Sequence, residues 1–568
     1  MLDNLEFPPK GSRPKELKIQ VRSALILLST FGILVINFDW GLPNKRRLEL
    51  IGGKDVLASK ISQILRSKER VNQIPTPHLQ YDEQIHLAVR EFLLSPWAGD
   101  DNLTLAAIKR LNPYNLEFDP GYYIYGGGLI YSGAVFLQVA AWFGFVTLNP
   151  DAVFYMNNPD ELGRLYTVLR LMIVISATVG IFLLNRLTAQ FYGEKVALVA
   201  WGITLFTPLT YEPVHSVEPH IFVLVFFLLS FYFTLRAVKG ESRKNFFLAA
   251  VFAGVSIGTQ ALSFYIVFAF FAALVINCKN GTINLREASA IFMRYVIISV
   301  GCMLLLNPFY ILNFTGFLGD LSFGTGQHFF RAPKTWAPYN LSWFLLIALL
   351  AAVIYHLVKF RQNAYSAISV ACIIPAIFVY VLLGNYHMTY VYSSIPLMGV
   401  LLAVMLRDIY VSLKDRSRAA FVVLVVVLFL VFPGARSVYY LINFSSVQRE
   451  EAGEWINANV PVGSTIAVMF PPSIWDCVPF EFYNYRLVEY RAMTLFDEPS
   501  LADAVVLLNA PLPDNLKDHY KLVKAYYPNS VFGFRFELAG EIHALIGKSI
   551  EIYVTANPNS VENVDVVL

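Results

Sequence analysis

The sequence predicts an α-helical membrane protein with many spans and a C-terminal extracytoplasmic domain that is α/β or β-rich. Three observations carry this expectation. Hydrophobic residues make up 56% of the 568 and charged residues only 15%, with a mean hydropathy of +0.52, the profile of a polytopic membrane protein rather than a soluble globule. Apolar runs of span length recur between residues 23 and 433, and Lys and Arg cluster in alternate linkers. From residue 434 onward charges, Pro and Asn rise and alternating apolar runs take over. The formal net charge of +3 gives no ground for nucleic-acid binding, and Cys278, Cys302, Cys372 and Cys477 have neither disulfide-framework nor zinc spacing.

Lys10, Arg13, Lys15, Lys18 and Arg22 precede the first apolar run and place the N-terminus in the cytoplasm. That run, 23–38, is too long for a cleavable signal and lacks a small-residue cleavage pattern, so it reads as a retained span. Residues 41–122 form a long outer loop with a basic first half, including Lys45, Arg46, Arg47 and Lys54. Long loops cross regardless of charge. The loop's apolar spacing predicts surface helices, either simply solvated or attracted to anionic headgroups.

Residues 123–148 are apolar enough to span, but charge placement argues against it. Linker 149–163 holds Asp151, Asp160 and Glu161 without Lys or Arg, and Arg186 and Lys195 follow the next span. The span at 165–185 therefore runs from outside to inside, and 123–148 lies in the interface or re-enters, broken by Gly126, Gly127 and Gly128. The remaining spans are expected at 196–212, 220–236, 246–260, 263–277, 295–312, 341–358, 364–383, 391–406 and 419–433. That makes about 11 in all within a membrane domain of residues 1–433, with the C-terminus outside. In the outer domain, 434–568, a helix is expected at 447–458 and strands at 464–470, 504–508 and 549–554.

Under this topology the ionisable residues beyond the cytoplasmic linkers gather on one face, and ionisable groups at membrane depth point to function. Tyr81-Asp82-Glu83-Gln84 puts two carboxylates at the start of an amphipathic run, with Arg90 two turns on. The pair suits a general base with a helper; it equally suits a solvated helix start. The 210–220 loop carries His215, Glu218 and His220, whose spacing leaves room for a divalent metal, for a second acidic group facing Asp82, or for plain capping. Arg164 and Arg170 lie on nearly opposite faces of one span, and Arg164, at its outer end, is the preferred phosphate ligand. His328 and Arg331 sit in a loop long enough to fold over a site; His387 and Tyr390 sit at a span mouth. Sequons occur at Asn102, Asn313, Asn340 and Asn443.

The arrangement resembles the glycosyltransferases of the C fold (GT-C), in particular the protein O-mannosyltransferase and aminoarabinose-transferase branch. Asp82-Glu83 before Ala88-Val89-Arg90 resembles that family's first-loop acidic pair, and Asn112-Pro113 through Tyr123-Ile124-Tyr125-Gly126 its aromatic stretch. Gly163-Arg164-Leu165 resembles its Arg-Leu span opening, and Pro208 through Glu218-Pro219 its second acidic loop, where Asp is more usual than Glu218. In the segment from Tyr386 to Pro396, His387 and Met388 stand where the family has Arg. Glu454-Trp455-Ile456 through Pro461-Val462-Gly463-Ser464 resembles the opening of the outer domain in prokaryotic members.

The resemblance implies an inverting transferase in a prokaryotic inner membrane. It would move a sugar from a polyprenyl-phosphate donor to a lipid, glycan or protein acceptor, with no required cofactor. Asp82 would be the general base, with Glu83 or Glu218 orienting donor or acceptor. Arg164, Arg331 and His328 would hold phosphate, and Arg90, Tyr125, His215, His387 and Tyr390 would line the substrate site. The rival class is a multi-pass transporter or lipid-linked sugar flippase, which calls for polar residues at the bilayer midplane and inverted repeats. Here the polar groups sit at one face and 295–312, 341–358 and 419–433 are almost bare of charge.

Overall fold

In the computed structural model the apolar runs become helices that stop where Pro, Gly or Asn interrupts them. The structure describes residues 13–71, 80–211, 213–238, 243–320, 343–359, 364–382, 391–443, 445, 447–490, 502–508, 510–531, 533 and 549–555. Helix α1 is Arg13–Leu34, and the first outer loop folds into α2 (Lys45–Leu50), α3 (Gly53–Val71), α4 (Tyr81–Leu94) and α5 (Gly99–Lys109). Then come α6 (Gly127–Trp142), α7 (Ala152–Asn157), α8 (Pro159–Tyr192), α9 (Glu194–Leu205), α10 (Pro219–Phe222), α11 (Leu224–Val238), α12 (Arg243–Thr259), α13 (Ile266–Lys279), α14 (Leu285–Leu306) and α15 (Phe309–Leu312). Further helices cover Trp343–Val358, Ala364–Leu382 and Ser394–Ser412. A last long helix runs from Asp415 to Asn443, with a π-helical turn at Val427–Val431.

Among the described residues six helical stretches are long and apolar enough to cross a membrane: Pro159–Tyr192, Pro219–Val238, Ala261–Lys279, Leu285–Leu306, Ser394–Ser412 and Asp415–Asn459. Shorter apolar helices cover Gln20–Leu34, Gly127–Trp142, Lys244–Thr259, Phe344–Val358 and Ala364–Phe378. The chain is therefore a multi-pass helical membrane protein. The expected span at 196–212 is shorter than read: α9 stops at Leu205, about 18 Å from its start at 1.5 Å per residue, because Pro208 cannot continue it. Helix α8 is longer than read. Its 34 residues extend about 51 Å, beyond the ~30 Å hydrocarbon layer, and begin with Pro159 at the first turn followed by Asp160 and Glu161 at the positive end of the helix dipole.

Helix α6 lies across one end of the bundle. At its start, a Cβ on Gly127 would stand 1.9 Å from the Leu306 carbonyl oxygen, and one on Gly126 would stand 2.0 Å from that of Gly258. Glycine is thus required for the chain to reach the backbone ends of α12 and α14. Toward its other end, Leu137 and Ala140 share a small core with Leu162, Leu165 and Leu169 of the first turns of α8. The ends of α12 and α14 and the start of α8 belong to the same end of the bundle. Both ends of α6 therefore pack against that end of the bundle.

The C-terminal domain is a five-stranded mixed sheet in the order β2-β1-β3-β5-β4. Its strands are β1 (Thr465–Val468), β2 (Arg486–Glu489), β3 (Ala504–Leu508), β4 (Tyr520–Tyr526) and β5 (Ile550–Thr555). β1 pairs in parallel with β2 and β3, while β5 runs antiparallel to β3 and β4. The helix Val447–Asn459 leads into it. The sheet has an α/β character, with β2 and β4 in addition to the three expected strands. β2 is short and β4 carries Lys521 and Lys524 among its apolar residues, so neither shows clean alternation.

Candidate functional site

The polar residues that the fold brings together lie where the start of α5 meets the 207–218 loop, α10 and the end of α12. Asp100 and Asp101 stand in the first turn of α5, where the helix dipole favours acids. Their partners differ. Tyr125 donates its hydroxyl to Asp100 Oδ2 in a short hydrogen bond, and Asp100 itself is half-buried. Asp101 is fully buried, as is Arg170. Arg170 Nε and Nη2 both donate to Asp101 Oδ2, at 2.9 and 2.7 Å, and Arg170 Nη1 donates to the carbonyls of Phe38 (3.0 Å) and Trp40 (2.6 Å). The Val217 amide donates to Asp101 Oδ1 at 2.5 Å. Burial pushes the Asp101 carboxyl above the usual carboxylate range, against the pull of the Arg170 guanidinium and the Val217 N–H. Asp101 is therefore committed to holding α5, α8 and the 215–217 segment together.

Next to this lock, Glu218 Oε2 lies 3.2 Å from His220 Nε2, with the two side chains only 12% and 4% exposed. Gln260 Nε2 donates to His220 Nδ1 at 2.8 Å, which leaves the ring proton on Nε2 to donate to Glu218. The Tyr125 and His220 rings meet edge-on with centroids 6.5 Å apart. Tyr125, His220 and Gln260 thus link Asp100 to Glu218 through one wall of polar and aromatic groups. Beside α5 lies a cavity of about 1460 Å³, mostly apolar, that Arg90, Glu91, Asn102 and Tyr166 line on its polar side. Tyr114, Leu116, Trp142, Phe143 and Phe145 are exposed on the turn after α5 and on and after α6, as expected of a face turned toward lipid.

The sequence-predicted residues divide. Glu218 and Tyr125 belong to the site. Arg90 lines the cavity, where burial pushes its guanidinium below the usual arginine range. Asp82 is exposed in the first turn of α4, and Glu83 accepts from the Gln80 amide in a capping box. That end of α4 faces the C-terminal sheet: Tyr81 stacks on Phe470 at 5.5 Å and accepts from the Leu487 amide, and His86 Nδ1 lies 2.9 Å from the Tyr483 hydroxyl. At this helix start Asp82 is exposed and Glu83 is partly buried in its cap.

Arg164 is 59% exposed and pairs with Glu161 one turn earlier at 2.6 Å, whereas Arg170 on the opposite face is the buried one. His215 is buried with Nδ1 2.7 Å from the Tyr211 carbonyl oxygen and Nε2 2.9 Å from that of Ile36, so neither nitrogen is presented to a ligand. No group of three His, Cys, Asp or Glu suited to a metal occurs among the described residues. His328, Arg331, His387 and Tyr390 lie outside the described residues. Of the sequons, Asn102 accepts from Tyr166, Asn313 donates to Asp119 and Tyr123, and buried Asn443 donates to Tyr439 and accepts from Asn529. Asn340 lies outside the described residues.

Asp100 and Asp101 escaped the sequence reading although Gly99-Asp100-Asp101-Asn102 opens a helix directly after Pro96-Trp97. The available signal was an acidic pair beside apolar Trp97 and Ala98, where the pair at 82–83 sits among polar neighbours.

Comparison with known proteins bears on this end of the molecule. Residues 162–311 match the family described as dolichyl-phosphate-mannose-protein mannosyltransferase. The match starts at Leu162 in the first turn of α8, takes in Arg170, and continues through Glu218, His220 and Gln260 past α14 to Ile311 in α15. Two similar solved structures are an Archaeoglobus fulgidus oligosaccharyltransferase in complex with Zn and sulfate and ArnT from Cupriavidus metallidurans bound to undecaprenyl phosphate. The first is 12% identical with a TM-score of 0.41, over 68% of this chain and 58% of that one, so the chain spans less than two thirds of its length. The second is 11% identical with a TM-score of 0.41, over 93% of this chain and 97% of that one. No curated protein sequence gives a significant match.

Proposed function

We propose that the chain is a glycosyltransferase that moves a sugar from a polyprenyl-phosphate donor to a hydroxyl acceptor at the site end of the bundle. The observation that carries this is the placement of Asp100 and Glu218 against one wall of Tyr125, His220 and Gln260, within and beside the segment that matches a family described by a lipid-phosphate sugar. Asp100 takes the role of general base that the sequence suggested for Asp82. In the reaction the acceptor oxygen bonds to the anomeric carbon, its proton passes to Asp100, and the bond from that carbon to the phosphate oxygen breaks, the electron pair leaving with the lipid phosphate. The Tyr125 hydroxyl fixes the Asp100 carboxylate, and Glu218, oriented by His220, faces the sugar hydroxyls. Asp101 with Arg170 keeps the start of α5 in register with this wall. The apolar cavity beside α5, with half-buried Arg90 at its polar side, suits the lipid carrier: its walls match a polyprenyl chain and its guanidinium matches a phosphate.

The test is transfer by the purified full-length protein in nanodiscs, supplied in turn with several polyprenyl-phosphate sugars. Asp100→Asn should lower turnover by about 100-fold or more, the usual worth of a general base, while still binding donor lipid. Asp82→Asn should stay within about twofold of the unsubstituted protein, because on this reading Asp82 is an exposed first-turn residue outside the wall that holds Asp100 and Glu218. Full transfer by Asp100→Asn would refute the base, and transfer from none of the donors would refute the donor class. A transporter is the less favoured reading, because the buried pairs Arg170–Asp101 and His220–Glu218 meet around the 215–220 segment at one end of the bundle rather than at mid-span.

A further inference from the structure

The start of α5 is held by one residue that the C-terminal domain also grips. Trp97 is 1% exposed and lies three residues before Asp100. Its ring meets two buried guanidinium groups: Arg47 Cζ is 4.9 Å from the ring centroid and Arg449 Cζ is 4.6 Å from it. Arg47 comes from the first outer loop and donates to the Ser95 and Gly41 carbonyls at 3.1 and 2.7 Å. Arg449 comes from the helix that leads into the C-terminal sheet and donates to the Ile474 and Trp475 carbonyls at 2.6 and 3.0 Å.

The indole also packs edge-on against Trp40, 5.7 Å away, whose own carbonyl accepts from Arg170. A continuous set of contacts therefore runs from the C-terminal domain through Arg449, Trp97, Trp40 and Arg170 to Asp101.

Two features show that the ring faces matter here. Trp97 Nε1 is buried without a hydrogen-bond partner among the described residues, a cost that a residue kept for its N–H would not carry. Trp is also the aromatic side chain with the strongest attraction for a cation over its face, and desolvation strengthens that attraction.

We infer that the C-terminal domain is a positioning element for the acidic pair. Arg449, through Trp97, holds the first turn of α5 so that Asp100 meets Tyr125, and turnover depends on a residue that touches no substrate. The interface supports this directly, because its other contacts converge on the same loop. Asn44 donates to Glu450 at 3.0 Å, Arg46 pairs with Glu450 at 3.2 Å and Glu454 at 2.8 Å, and Asn457 donates to the Leu50 carbonyl at 2.9 Å. With so many contacts the domain stays docked when Arg449 alone is changed, so the effect of Arg449 on α5 can be read separately from undocking.

The inference rests on the proposed role of Asp100, and the experiment separates the two. In full-length protein in nanodiscs, Arg449→Met should raise the amide hydrogen-exchange rates of residues 97–102 by at least tenfold and leave those of β1 and β3 within about twofold. It should also lower kcat at least tenfold with KM within about twofold. Arg449→Lys, which keeps a cation over the ring, should recover a substantial part of both. Unchanged exchange at 97–102 in Arg449→Met would overturn the inference. So would equal acceleration throughout the C-terminal sheet, which means undocking, or a Lys variant no better than Met. Raised exchange at 97–102 together with full activity in Asp100→Asn would leave the mechanical link standing and remove only the assignment of the base.

Discussion

The buried pair of Arg170 and Asp101 allows a quantitative test of how the site is assembled. Arg170→Met keeps most of the side-chain length and removes four hydrogen bonds, two to Asp101 and two to the carbonyls of Phe38 and Trp40. Breaking a buried pair by deleting one partner costs about 3–5 kcal/mol, because the remaining charge has neither water nor a counter-ion. Asp101 would keep only the Val217 amide. Asp101→Asn should cost a similar amount by stranding the guanidinium. In the double variant neither charge remains, so its loss should fall short of the sum of the two single losses by about 2–3 kcal/mol. Denaturation by SDS in mixed micelles measures all four corners of the cycle. The sign of the pH effect follows from burial, which already lifts the Asp101 carboxyl above its unfolded value. Without Arg170 it is lifted further, and the folded variant then binds a proton that the unfolded chain releases. Arg170→Met should therefore regain stability as pH falls through that raised value and lose it as pH rises. Additive single losses, or an Arg170→Met variant least stable at low pH, would refute the idea that this pair is a lock.

Further outcomes follow from the same structure. Tyr125→Phe removes one hydrogen bond to Asp100 and should lower kcat by about tenfold or more, the worth of a bond to a charged group, with donor binding unchanged in a lipid-binding assay. Gly127→Ala would drive a methyl into the Leu306 carbonyl and should destabilise the protein by about 1–3 kcal/mol in the same SDS titration; Gly301→Ala, where no atom lies within 4 Å, is the matched control and should cost little. Expression in a host with N-glycosylation should leave Asn102, Asn313 and Asn443 unmodified by glycopeptide mass spectrometry, because each amide is already hydrogen-bonded inside the fold.

Composition and charge placement made the membrane class and the sheet domain legible, because each depends on averages over many residues. The strands β1, β3 and β5 showed in the sequence as apolar runs, β1 and β3 buried at nearly every position and β5 at alternate ones. The site was less legible, for a physical reason. Two acidic pairs, 82–83 and 100–101, stand at helix starts, separated locally by little more than the apolar Trp97 and Ala98 before the second, and it is tertiary packing that leaves Asp82 exposed and brings Asp101 to Arg170. The different surroundings of Arg164 and Arg170 are likewise set by packing. The outer end of a span suggested access to phosphate, whereas the helix phase turned Arg164 outward to Glu161 and Arg170 inward to Asp101.

The long helix from Asp415 to Asn443, which runs on through its π-helical turn, sets a rule for any attempt to exchange the C-terminal domain. At its far end Asn443 is bonded to Asn529, and the Leu441 carbonyl accepts from Asn37 in the first outer turn. Adding one residue to the rod would rotate everything beyond it by about 100° and lift it about 1.5 Å, tearing both fastenings loose. Grafts should therefore tolerate insertions in steps near a whole turn far better than single-residue changes, much as a screw seats only at certain angles.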